Sequence, residues 1–142
     1  MFEDRPRDYV FYVTCPGERP FFWLMQDIVW ADSSALDTDT DGDSYPAHST
    51  TWTELTMITR DAGHERFDID PVQDTPLILN VRSEKVYLVA RAAYALEVYT
   101  GGQVSEFVDG AFESPDVLIP YMGAAFDLAA ALRQNEWLNK ST

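Results

Sequence analysis

An α+β fold is the class this sequence predicts: a single mixed β-sheet of five or six strands with two helices packed on one face, including one βαβ crossover. Three observations carry that expectation. Short segments rich in aromatic and β-branched residues recur between turn signals. One apolar stripe at helical spacing separates two of them. The chain of 142 residues is one domain's worth, able to hide roughly 68% of its unfolded surface in a single core. Residues 1–142 are therefore read as one α+β domain.

The elements follow in order. Asp8 to Cys15 (DYVFYVTC) ends at Pro16-Gly17 and reads as a strand. After Pro20 the run FFWLMQDIVWAD is apolar almost throughout; periodicity does not separate strand from helix there, and a strand is favoured. Residues 32–50 (DSSALDTDTDGDSYPAHST) are polar, acidic and turn-rich, and predict the longest loop. Thr51 to Arg60 and Glu65 to Asp70 flank Asp61-Ala62-Gly63-His64 as a β-hairpin, with Leu55 and Met57 on one face and Trp52, Glu54, Thr56 and Ile58 on the other.

Leu77 to Val81 follows Pro76 as a continuous apolar run, the pattern of a central strand covered on both faces. Ser83 supplies an N-cap for a helix over 84–99, whose stripe is Val86, Val89, Ala90, Ala93 and Tyr94. Gly101 stops it, because glycine accepts the left-handed conformation past a helix end. With Gln103 to Val108 as the next strand, this unit predicts that 77–81 and 103–108 run parallel in one sheet. A second helix is expected over 121–138, which carries Phe126, Leu128, Leu132 and Trp137.

Charge carries most of the functional information. Twenty-four acidic residues against ten basic ones leave a formal net charge of −14. Nucleic-acid affinity rests on neutralising phosphates with Lys and Arg, so direct nucleic-acid binding is excluded. The same sign argues against anionic membranes. No apolar run reaches membrane-spanning length, and Met1 to Pro6 lacks the apolar core of a secretory signal, so a cytoplasmic location is expected. The acidity is also local: residues 31–74 hold eleven acids and two bases, so nine of the fourteen excess charges fall in under a third of the chain. Fifteen Asp against nine Glu and only two Lys would also fit adaptation to a salty cytoplasm, but a uniform bias does not concentrate charge.

The sharpest local pattern is Asp37-Thr38-Asp39-Thr40-Asp41-Gly42-Asp43. Asp37, Asp39 and Asp41 have the opening spacing of a calcium loop, but position twelve is His48 and Pro46 stands where an exiting helix would begin. No metal is required to hold such a run: carboxylates about 7 Å apart in water repel by only about 0.6 kcal/mol per pair. Calcium is the only cofactor with any support. Catalytic equipment is sparse. His48 and His64 are the only imidazoles, Cys15 reads as a buried small hydrophobe, and none of the glycines forms a phosphate loop. A non-enzymatic role is expected.

Trp30 and Trp52 bracket the acidic stretch and Tyr45 lies inside it. Aromatic rings beside charges are the composition of interface anchors, the ring supplying buried area and the charge supplying steering. The expected partner-binding set is Trp30, Asp32, Asp37, Asp39, Asp41, Asp43 and Tyr45, facing a basic protein. In size, acidity, lone cysteine and α+β pattern the chain resembles the small acidic immunity proteins of bacterial toxin systems. That resemblance implies inhibition by occluding a basic toxin's active site, with the carboxylates of 32–43 standing in for substrate phosphates. An acidic nucleic-acid mimic, a calcium-dependent interaction domain and an enzyme with dispersed carboxylates are the competing classes.

Overall fold

A computed structural model describes residues 9–20, 22–30, 36–40, 52–59, 65–107, 110–123 and 126–129. Among them the elements are β1 (Tyr9–Thr14), α1 (Phe22–Trp30), β2 (Leu36–Thr40), β3 (Leu55–Thr59), β4 (Arg66–Asp74), β5 (Leu77–Ser83), α2 (Val86–Thr100), β6 (Val104–Ser105) and a 3-10 helix over Pro115–Tyr121. The strands form one sheet in the order β2-β3-β4-β5-β1-β6. The α+β class is therefore correct.

Among the described residues every hydrogen-bonded strand pair is antiparallel, which corrects the mixed sheet. The crossover survives in altered form. β5 and β6 are both antiparallel to β1, so they run parallel to each other, but β1 lies between them. The N-terminal strand has taken the position that a simple βαβ unit would give to β6.

Period-two alternation sets which residues face the helices. Leu55, Ile69, Val81 and Phe11 form one register row across β3, β4, β5 and β1. Met57 faces Phe67, and Leu79 faces Val13, in the rows beside it. All of these except the half-buried Phe11 are buried. α2 lies on that face against β1, β4 and β5, and α1 and the 3-10 helix pack against α2. Being covered by sheet, helix and 3-10 turn, α2 buries more than the predicted stripe: Leu88, Ala92, Ala95 and Leu96 are also inside.

Several elements depart from expectation for identifiable reasons. The run after Pro20 is helix, not strand. Met25, Ile28 and Val29 are fully buried at spacings of three and one, a helical stripe that uniform hydrophobicity around it had concealed. Leu36–Thr40 is a strand, which corrects the single long loop over 32–50. β3 supplies a ladder that outweighs the poor β-propensity of Asp. β5 is central in order, but only one face is sealed, since Asn80 and Arg82 point to the open side. β4 continues past Pro71 to Asp74 through a register shift between Pro71 and Gln73. Pro71 lies beyond the last residue paired to β3, so its missing N–H breaks no bond on that side.

α2 begins at Val86, not Glu84: Ser83 Oγ accepts the Lys85 N–H and donates to the Arg66 carbonyl at 2.5 Å, tying the helix entry to β4. It ends as predicted, Gly101 adopting φ 75° and donating its N–H to the Glu97 carbonyl. The expected helix over 121–138 does not start at Tyr121. The 3-10 helix ends there, and Gly123 takes φ 98°, a conformation that breaks any helix. Helix resumes only at 128–129 among the described residues.

Candidate functional site at the acidic edge of the sheet

The sheet face turned away from the helices is a polar surface built by the same alternation that fills the core. Thr56, Asp68, Arg82 and Val10 occupy one register row across β3, β4, β5 and β1. Asp68 is nearly buried and accepts three bonds: from Thr56 Oγ1 at 2.6 Å, and from Arg66 Nε and Nη2 at 2.9 Å each. Burial alone would raise its pKa, but the bonds from Arg66 and Thr56 outweigh burial and hold it below the ordinary aspartate value. Arg82 bridges Asp70 and also donates to Asn80 at 3.1 Å. Two of the carboxylates of residues 31–74 are thus neutralised by neighbouring arginines.

A third is bound at the back of the hairpin. Glu65 accepts the Trp30 indole N–H at 2.7 Å and the Tyr87 hydroxyl. The Tyr87 phenol is pushed up to about 12 by burial first, then by this carboxylate. Trp30 also stacks on Phe67, ring centroids 5.8 Å apart. Trp30, expected at the partner interface, therefore has its N–H committed internally and joins α1 to the hairpin. Beside it, Arg91 donates to the carbonyls of Val29 at 2.9 Å and Met122 at 3.0 Å, and lies over the Phe126 ring at 4.0 Å. That guanidinium joins the end of α1, the middle of α2 and the exit of the 3-10 helix.

β2 terminates the sheet beyond β3. Its backbone register sets Asp37 opposite Ile58 and Asp39 opposite Thr56, so both aspartate positions fall on rows of the open polar face. Asp32, Asp41, Asp43 and Tyr45 lie outside the described residues, as do His48 and His64. Residues 31–43 contain five acids and no base. The outer edge of β2 has no strand partner among the described residues, and charged residues on such an edge discourage indiscriminate strand pairing while leaving it open to a complementary chain.

For calcium the extended backbone matters. Asp37 and Asp39 lie along a paired strand, about 7 Å apart, whereas a calcium loop must curl so that its first and third residues converge on one ion. Among the described residues no group of three or more His, Cys, Asp or Glu side chains is placed to hold a metal.

Two groups escaped notice in the sequence. The first is Glu97, on the inner side of α2 and 2% exposed, with neither carboxyl oxygen hydrogen-bonded to a described residue. Burial raises its pKa to about 8. Cys15 is nearby, buried as expected, its thiol pushed up to about 12 by burial and then by Glu97. A thiol so placed is not a nucleophile at neutral pH. The second is the two arginines on the open face, Arg66 bonding Asp68 on its own strand and Arg82 reaching Asp70 across to β4, whose alternation with Phe67 and Val81 did carry a signal. Among the described residues no helix is long and apolar enough to cross a membrane. The chain matches no family model, no curated protein and no solved structure.

Proposed function

We propose that this chain is a protein-binding inhibitor that meets a basic surface on its target with the acidic edge of its sheet, in the manner of a cytoplasmic immunity protein neutralising a basic bacterial toxin. The observation that carries the reading is the placement of the alternating aspartates. Asp37 and Asp39 sit on an ordered edge strand at the end of the sheet, within a stretch of five acids and no base. Glu65, Asp68 and Asp70 are already bound within the protein, and residues 32–43 are the densest base-free run of acids in the sequence. Fixed spacing on a strand costs less ordering on binding than the same charges on a free loop. Complementary charge raises association rates by about ten- to a thousandfold, which suits an inhibitor that must arrive before its target acts. No catalytic step is assigned to the chain.

The test is co-expression with the product of the adjacent reading frame, scored for survival. Wild type should rescue growth, and the variant with Asp37, Asp39, Asp41 and Asp43 changed to Asn should not. Equal rescue by both would overturn the reading.

A further inference from the structure

At the opposite edge of the sheet, five strand spacings or roughly 24 Å from β2, a cavity of about 100 Å³ opens between β1, β6 and the 3-10 helix. Phe11 and Tyr121 form one corner, their ring centroids 6.3 Å apart and tilted by 51°. Val104 and Val117 continue the apolar lining, and Ser105, Glu106 and Glu113 complete it. The backbone around them is fixed: Val104 and Glu113 exchange two hydrogen bonds, at 2.9 and 2.7 Å, and Gly110 N–H closes a turn onto the Phe107 carbonyl.

We infer that this groove is a docking site for an arginine side chain presented by a partner protein. Two glutamates, Glu106 and Glu113, are among the residues lining this small cavity, and none of its described lining residues is basic. The sequence from 92 to 132 adds none, holding six acids and not one lysine or arginine. A cation is what this charge distribution lacks. The aromatic corner selects an organic cation over a hydrated metal ion, because a weakly hydrated guanidinium gains from ring faces and carboxylates together. The volume is well above the roughly 10–15 Å³ that a single water needs. The surroundings indicate a protein as the source. On the 3-10 helix that borders the cavity, Tyr121 is 47% exposed, Ile119 43% and Val117 41%, and Phe107, beside Glu106 in the chain, is 65% exposed; exposed large apolar side chains of this kind mark protein interfaces. The site stands independently of the reading of β2, since it uses none of the same residues.

The test is amide NMR titration of the full chain with acetyl-Leu-Arg-Leu-amide, its citrulline counterpart and free agmatine. Saturable shifts at Ser105, Phe107 and Tyr121 are expected, at least tenfold weaker binding for the citrulline peptide, and at least fivefold weaker binding for agmatine, which lacks apolar flanks. The Glu106→Gln/Glu113→Gln double variant, exposed at both positions, should keep the wild-type spectrum and lose at least tenfold in affinity. Equal binding of the arginine and citrulline peptides, or no loss in the double variant, would overturn the site. Agmatine binding as tightly as the peptide would overturn the protein partner in favour of a free amine.

Discussion

Replacing Glu97 with Gln separates the cost of burying a carboxylate from everything else that titrates. Glu97 has a folded-state pKa of about 8 against an ordinary value of 4.5, so between these values the folded protein holds a proton that the unfolded chain has released. A group raised on folding contributes stability that is fully present below its unfolded pKa and is lost as pH rises through its folded pKa. At about 1.36 kcal/mol per unit, the loss from pH 4.5 to above pH 8 reaches a ceiling of about 5 kcal/mol, comparable to the total stability of a marginal domain. Gln is the neutral isostere and cannot titrate. At pH 5, where the native carboxyl is protonated, wild type and variant should differ by no more than about 1 kcal/mol. At pH 9 the variant should be the more stable by several kcal/mol. Denaturant unfolding from pH 5 to 9, taken as the difference between the two proteins, cancels all other titrations. Parallel curves with no divergence above pH 7 would refute the claim that Glu97 is buried without compensation.

Three further outcomes follow from the same structure. Arg91→Ala removes the donors to Val29 and Met122 and the cation over Phe126, and should cost about 2–4 kcal/mol in urea unfolding; a loss under 1 kcal/mol would show that the guanidinium does not join these elements. Gly102→Ala would place a methyl 1.8 Å from the Thr14 carbonyl oxygen, so the melting temperature should fall by the equivalent of about 3 kcal/mol or more, and an unchanged value would contradict the close approach of α2's exit to β1. Cys15, buried with its thiol near 12, should react with a maleimide at pH 8 only at the rate of protein opening; denaturant-independent labelling as fast as a free thiol would place it at the surface.

Legibility of the fold in the sequence varied with how strongly one face was buried. The β3–β4 hairpin and the end of α2 could be read because alternation and a glycine stop mark them unambiguously, and the paired burial of Leu55, Met57, Phe67 and Ile69 follows that alternation. α1 could not, since apolar residues surround its buried stripe and no polar face reports the period. β2 was hidden because Asp signals loop, and only the neighbouring β3 makes it a strand. The position of β1 between β5 and β6 is a tertiary choice with no local sequence mark. At the site, the acid run was visible as composition. The Arg82–Asp70 pairing depended on the register of β5 against β4, whereas Arg66 and Asp68 stand two apart on β4 itself; the cavity lined by Glu106 and Glu113 depended on the bridge between Val104 and Glu113.

How association responds to ionic strength tests most directly whether the acidic edge recruits a cationic target. With the partner captured from native lysate, the association rate constant should fall at least tenfold between about 50 mM and 500 mM salt, as screening shortens the reach of surface charge. The variant carrying Asn at positions 37, 39, 41 and 43 should associate slowly with little salt dependence. A wild-type rate indifferent to salt, or a variant that binds as fast as wild type at low salt, would contradict it.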